Sequence, residues 1–461
     1  MPPPGAGLHR IRARTRITLA LLLYGLVLSV WSAARFNAAI PDSALLMGAR
    51  IDGVRYSLQT LKEGGPPLLA CKRGYTPETK TTCVPVGWTD DQGLYLYLPY
   101  LALWTGVHDP PRVLKGFFIG SFSVLIGVYP LTMWALFGSA LAGLVLPLAV
   151  ALKFTYVQNT DIYWIGSWCL LLCLPLLLIV HDRWRARSPL ALIGIVIVAS
   201  FASSIRLHTG LPILMGALVV LLFRHSSWLR TLTWAGVVVL AYLSVHPFGL
   251  QAVRTYRDHV VGDASLSAHR PTSHPIWHNM YIGLGYRPNR YGITWNDSVA
   301  YATVKRLSPR ARFVSAEYER TLRDEYFRIA REDPRLVIDN LTSKLEVIVK
   351  EAATRIGALV LLIPLSLFVG SATHTMRRYL LVVAPAVALG AVPPLLTLPY
   401  LGYQMSWLGA WAFLWLLAAG WLLTTVPRDI LRRLETRRPP GPAEEPPSCG
   451  DPARREPSRA G

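Results

Sequence analysis

Acidic residues are scarce in this chain of 461 residues: Asp and Glu number 27, against 47 Lys and Arg. Most of the long apolar runs lack acids and bases at mid-depth, and Lys153, near the outer end of its run, is the exception. Transporters tend to carry ionisable groups inside several spans, and often internal repeats. Neither is visible here, which ranks transport low. No small-residue cleavage site follows the first apolar run, so that run reads as a retained span rather than a signal peptide. The short loops at 158–162 and 400–406 carry no Lys or Arg, and the loop at 205–209 carries only Arg206. Cysteines number five. Cys169 and Cys173 lie one turn apart in an apolar run, with no His or acid beside them, so they read as packing residues rather than a metal pair.

What is present is apolar length. A hydrocarbon core of about 30 Å takes about 20 mostly apolar residues per helix. Runs that qualify or nearly qualify are 17–36, 115–137, 139–157, 163–180, 189–204, 210–223, 231–247, 356–370, 379–398 and 407–426. Arginines cluster in alternate loops: before the first run, after the fourth, sixth and eighth, and after the tenth. Positive charge in short loops marks the cytoplasmic side, so both termini are expected inside. The long segments 37–114 and 248–355 are then expected outside. The net charge of +20 follows largely from those cytoplasmic clusters, so no nucleic-acid partner is expected. The excess of arginine over lysine hints at a GC-rich bacterial genome and hence an inner (plasma) membrane.

The expected fold is an all-α polytopic membrane protein of about ten transmembrane helices, with two outer segments carrying interfacial or amphipathic helices. Residues 1–16 form a cytoplasmic N-terminus, 17–247 a transmembrane core that includes the first outer segment, and 356–426 the C-terminal transmembrane helices. Residues 427–461 form a basic cytoplasmic tail. Its Pro/Glu/Arg-rich part, 439–461 with Cys449, cannot bury a core and is expected to be disordered.

The first outer segment predicts an amphipathic helix over about 43–62, with Val54, Leu58 and Leu61 on one face. Cys71 and Cys83 are either two thiols or, on an oxidising face, a disulfide worth roughly 3 kcal/mol. The apolar run at 94–106 is too short to cross. Tyr95, Tyr97, Tyr100 and Trp104 suit it to the outer headgroup zone. In the second outer segment, 263–308 reads as loop, and 315–350 as two helices separated at Asp333-Pro334, a cap followed by proline at the first helical position. The first helix presents Tyr318, Leu322 and Ile329, the second Val337, Leu341, Leu345 and Ile348. Asn296-Asp-Ser and Asn340-Leu-Thr match the glycosylation acceptor pattern.

Several residues in the outer segments could carry chemistry. Asp90 and Asp91 stand at the start of the short apolar helix, where they are either acidic caps or, as two carboxylates beside lipid, a pair able to take a proton. Asp161, at a helix start behind Asn159 and Thr160, is a cap or a wall of the same pocket. Arg206 and His208 place a guanidinium and an imidazole between two short apolar runs, on the face otherwise poor in positive charge. An ionisable group at that depth is a functional candidate, and arginine's planar donor fork suits phosphate. The densest polar and aromatic cluster holds His269, Arg270, His274, Trp277, His278, Arg287, Arg290 and Trp295. His274 and His278 have metal-ligand spacing, but the intervening Pro275 argues against a regular helix there.

With those residues assembled, the chain resembles the GT-C superfamily of membrane glycosyltransferases, which use polyprenyl-phosphate sugars. The resemblance is architectural over about 17–426. Locally it rests on Trp88, Thr89, Asp90, Asp91, Gln92, Gly93, Leu94 and Tyr95, similar to the acidic element in that family's first outer loop. It implies a catalytic base at Asp90 or Asp91, with a divalent metal held there in some branches. The stretch Ser204 to Gly210 looks like a segment seen in some members. Two features depart from the family pattern. The acids lie far beyond the first span, which makes Asp42 a rival, and 248–355 lies between spans rather than forming a C-terminal soluble domain.

The reading that follows is sugar transfer from a polyprenyl-phosphate donor to a glycan, lipid or protein acceptor at the outer face. Arg206, Arg287 or Arg290 would hold the phosphate, and Asp161, His208, His274 and His278 would line the substrate site. No cofactor is certain. An O-antigen polymerase or ligase, with essential His and Arg in the late loop, is the second reading. A lipid or glycan transporter is the third.

Overall fold

The computed structural model describes residues 6–40, 49–76, 78–79, 82–87, 91–153, 162–185, 188–224, 227–262, 275–361, 373–400 and 402–436. Asp42, Asp90, Asp161, His274 and the tail with Cys449 lie outside them.

Helices follow the apolar runs. The first, α1 (Ala6–Ala39), packs along α4 (Pro110–Phe137), and Ser29 donates across the contact to the Ser123 carbonyl at 2.8 Å. Asp109 caps α4 by accepting from the Arg112 amide, Pro110 occupies its first turn, and Gly138 ends it at φ 64°. Next come α5 (Ala140–Lys153), α6 (Trp164–Asp182), α7 (Ser188–Ile205), α8 (Leu211–Arg224) and α9 (Trp228–Leu243). A π turn at Ser244–Gly249, containing Pro247, joins α9 to α10 (Leu250–Val261). Late in the chain come α15 (Thr373–Leu396) and α16 (Met405–Thr436). Among the described residues, seven helices are long and apolar enough to cross a membrane, and α5 and α8 are shorter apolar helices. The protein is a multi-pass all-α integral membrane protein. Within the expected run at 356–370, residues 356–361 show only a short turn at Ala358–Leu361, and 362–370 lie outside the described residues.

The first outer segment holds α2 (Ala49–Lys62), an antiparallel pair β1 (Leu69–Ala70) and β2 (Val84–Pro85), and α3 (Gln92–Thr105). Val54 and Leu58 of α2 are buried as expected. Cys71 and Cys83 are bonded. In α3 the aromatic set divides. Trp104 and Tyr100 are exposed, but Tyr95 is packed inside, its ring seated in the space left by Gly53 and Gly87.

The second outer segment has its own small core, built around Tyr281, Ile293, Ala300, Tyr318, Leu322 and Ile329. From residue 275 the stretch expected to be loop instead contains α11 (Ile276–Gly283) and α12 (Asp297–Leu307). The helical pattern of α12 is short, only Ala300, Thr303 and Val304, and is masked by polar neighbours; Asn296 starts it by accepting from the Ser298 amide. Of the two proline readings, one needs adjusting. Pro275 immediately precedes α11 rather than breaking it. Asp333 does cap α14 (Pro334–Arg355), accepting from the Leu336 amide after α13 (Ala316–Glu332) ends. The expected apolar face of α14 is corrected, since Leu341 and Leu345 are exposed while Asn340, Lys344, Ile348 and Ala352 are buried. The backbone of the turn after α11 supplies the reason: Lys344 donates to the Gly283 carbonyl at 2.8 Å, and Asn340 accepts from the Arg287 amide at 3.2 Å. Burial thus removes Asn340 from the two acceptor patterns.

Contacts sort the helix ends into two sets. At one end, Arg183 donates to the Ala135 carbonyl, Tyr379 bonds Asp182, and His181 meets Phe223. At the other, Arg257 of α10 donates to the Leu68 carbonyl at 3.3 Å, and Trp407 of α16 donates to the Ile348 carbonyl at 3.1 Å. Val261 shares a small core with Leu69, Cys71 and Cys83. The two outer segments therefore lie at the same end, opposite Arg183, Arg224 and Arg378. In a chain free of competing thiols, an impermeant thiol reagent on intact cells should label Arg55→Cys and Glu317→Cys alike and leave Arg377→Cys untouched until the cells are opened. Labelling of the first two from opposite sides would overturn this arrangement.

Burial lowers the Lys344 amine from 10.5 to about 8. The unfolded chain therefore holds a proton that the folded chain has released between those values, and stability rises with pH across that window. The penalty of burying the ammonium is full below about pH 8. The melting temperature of wild type minus that of Lys344→Met, measured in detergent, should climb from pH 8 towards 10.5. A flat difference would refute the assignment.

Candidate active site at the outer end

The site is assembled from segments that the sequence separates widely. Asp91 precedes the first turn of α3 but makes no capping hydrogen bond with its side chain. The carboxylate is fully buried and pairs instead with Arg50 of α2, Nε to Oδ2 at 3.6 Å. A buried carboxylate needs a counter-charge, and Arg50 supplies it. Gly87 makes room, with φ +76°; a Cβ there would stand 2.6 Å from the Tyr95 ring and 3.0 Å from Asp91 Oδ1.

Arg206 arrives from the end of α7. Its amide donates to the Ala202 carbonyl, and Thr209 returns both amide and hydroxyl to the Arg206 carbonyl, so the turn into α8 is closed. A cation suits a helix C-terminus. Its guanidinium, only 5 % exposed, donates to the Tyr163 hydroxyl at 2.8 Å and lies 4.5 Å from that ring's centre. Arg50 approaches the same ring, 5.8 Å from its centre. Tyr163 thus has two guanidinium groups within about 6 Å of its ring, a cation–π arrangement that gains from burial. Tyr403, from the loop before α16, packs edge-on against Tyr163 at 5.5 Å and exchanges a hydrogen bond with it. Burial, with the neighbouring Tyr163, pushes the Tyr403 phenol above its ordinary value. Trp295 of the second outer segment meets Tyr403 at 6.4 Å.

One close approach holds α3 against α7. A Cβ on Gly93 would lie 2.6 Å from the backbone and hydroxyl of Ser204. Tyr97 and Ser204 share a hydroxyl–hydroxyl bond at 3.0 Å one turn along. Beside them buried Gln92 donates to the Val86 carbonyl at 3.2 Å and accepts from Arg254 of α10 at 2.5 Å.

Of the residues singled out in sequence, Asp91 and Arg206 come together, with His208 half-buried in the same turn as Arg206. Asp90, Asp161 and His274 lie outside the described residues. His278, Arg287 and Arg290 serve the second outer segment. The two ring nitrogens of His278 bond the Tyr318 hydroxyl at 2.7 Å and Asp297 at 3.0 Å. Arg287 is exposed and bonds Asn340 through its amide, while Arg290 is exposed, bonds Tyr291 and pairs with Asp333 at 3.7 Å. Sequence reasoning missed Arg50, Arg254 and Tyr403. A lone arginine on a polar helix and a tyrosine in a neutral loop carry no local signature. Among the described residues no group of three or more His, Cys, Asp or Glu side chains gathers as metal ligands.

No protein-family model, no curated protein and no solved structure matches the chain. Gly93→Ala should force α3 off α7 and cost about 1–3 kcal/mol of stability, as overpacking does, read as a lowered melting temperature in detergent. An unchanged melting temperature would show that the contact is slack.

Proposed function

We propose that this protein is an integral-membrane glycosyltransferase of the GT-C kind, with about ten spans and both termini in the cytoplasm of a bacterial cell. It would move a sugar from a polyprenyl-phosphate donor to a glycan, lipid or protein acceptor at the outer face of the plasma membrane. One observation carries the reading: a fully buried carboxylate, Asp91, shares a cluster with two arginines and two tyrosines at the end opposite the arginine-rich loops.

The chemistry assigns each group a task. The acceptor hydroxyl attacks the anomeric carbon and gives its proton to Asp91, or to the adjacent Asp90, as general base. The bond from that carbon to the phosphate oxygen breaks, and the lipid phosphate leaves with the electron pair. Arg206 faces that charge. Oriented donors at a developing anion are worth about 3 kcal/mol. Arg50 is a positioning residue, since it holds the carboxylate. Where a branch of the resembling family binds a divalent metal, the acids of the first outer loop are the residues that would hold it, and it would supply positive charge for the donor phosphate.

The polymerase or ligase reading puts the chemistry on the late loop. There the ring nitrogens of His278 are already engaged with Tyr318 and Asp297 inside the outer segment, and the exposed Arg290 pairs with Asp333, which favours the transferase reading. In membranes supplied with labelled polyprenyl-phosphate sugar, Asp91→Asn or Asp90→Asn should lower transfer by about a hundredfold or more, and Arg206→Ala should do likewise. Full activity in both aspartate variants would remove the assignment. Loss confined to His278 and Arg290 variants would favour the polymerase.

A further inference from the structure

A cavity lies in the second outer segment itself, away from the Asp91 cluster. It measures about 480 Å³ and sits between α12, α13 and the loop that follows α11, a volume within the usual range for small-ligand pockets. Its lining includes Tyr281, Tyr291, Thr303, Arg306, Glu325 and Arg328. We propose that this cavity is the acceptor subsite and binds a neutral sugar unit of a glycan; its role as acceptor site rests on the transferase reading above.

The lining is organised before any ligand arrives. Arg328 grips Glu325 with two bonds, at 2.7 and 2.8 Å, and Glu332 with a third at 2.6 Å. The Arg328 hydrogen bond holds the Glu325 carboxyl below its usual value, against the opposing effect of burial. Tyr281 and Thr303 share a hydroxyl bond at 3.1 Å. Arg290 and Arg328 lie 5.1 and 6.0 Å from the centre of the Tyr291 ring. Neighbouring hydroxyls of a sugar call for paired donors and acceptors, and this wall presents a carboxylate, guanidinium groups and two kinds of hydroxyl. A sugar's apolar face calls for an aromatic surface with a polar edge, which Tyr291 offers.

Charge decides between a neutral and an acidic glycan. The two cations, Arg306 and Arg328, are matched in number by Glu325 and Glu332, so the site as a whole offers no uncompensated charge for an acidic sugar to neutralise. Position ties the cavity to the chemistry. Tyr291 lines it, and Trp295, four residues on, packs on Tyr403 of the first site. Four residues span at most about 14 Å. Asn289 fixes the loop between them by accepting from the Tyr291 and Ile293 amides at 3.1 and 3.2 Å and donating to the Ile293 carbonyl at 2.9 Å. A glycan held here would send its growing end towards the Asp91 cluster.

The test uses the full chain in lipid nanodiscs and a panel of short gluco-, manno-, galacto-, xylo- and arabino-oligosaccharides, with oligogalacturonate as the acidic counterpart. At least one neutral series should bind saturably and lose about tenfold or more in affinity with Arg306→Ala or Thr303→Val, while Asp91→Asn binds as wild type. Melting temperatures close to wild type would show that the variants are folded. Binding of no neutral series, binding that ignores both substitutions, or binding of the acidic series alone would each overturn the proposal. Sugar transfer is scored separately. Transfer that needs Asp91 without any neutral-glycan binding would sink the subsite and spare the transferase, and binding without transfer would do the reverse.

Discussion

Tyr163 and the two guanidinium groups near its ring hold this end of the helix bundle together. Charge buried beside lipid is costly unless it is paired and hydrogen-bonded, and here the pairing runs across the whole chain. Arg50 comes from the first outer segment, Tyr163 from the start of α6, Arg206 from the end of α7 and Tyr403 from the last outer loop. No two neighbours in this set are close in sequence. Removing one would leave a buried charge or hydroxyl without its counterpart, and the remaining segments would lose their reason to converge.

The close approach of Gly93 to Ser204 and the disulfide at Cys71 serve the same end by different means. The first sets how near α3 can come to α7, which fixes the depth of Asp91. The second ties β1 to β2 next to Arg257, whose guanidinium is almost wholly enclosed. Backbone proximity, covalent closure and ion pairing all constrain the same few residues, which is what a preorganised site demands.

Apolar length made the multi-pass membrane character legible, because it is a property of long stretches. Helix periodicity did the same for α2 and α13, whose buried faces at Val54, Leu58, Tyr318, Leu322 and Ile329 stand as expected. Capping chemistry placed Asp333-Pro334 correctly. The reading failed where packing is decided by distant backbone. Carbonyls and amides near Gly283 draw Asn340 and Lys344 inward and turn Leu341 and Leu345 out. In the candidate site, Asp91 and Arg206 were visible because charge is unusual at their positions. Arg50 and Tyr403 were not, since what makes them notable is proximity to Tyr163, a contact no local pattern encodes. His278 misled for the opposite reason: its surroundings are rich in chemistry, but its nitrogens are spent on Tyr318 and Asp297.

Arg257 has a mechanical consequence. Enclosed to 99 % by the chain and bonded to both Asp258 and the Leu68 carbonyl, it acts as a rivet between α10 and the first outer segment. Drawing such a group out would strand a cation away from both of its partners, so α10 and the turn at Leu68 are held together as one piece.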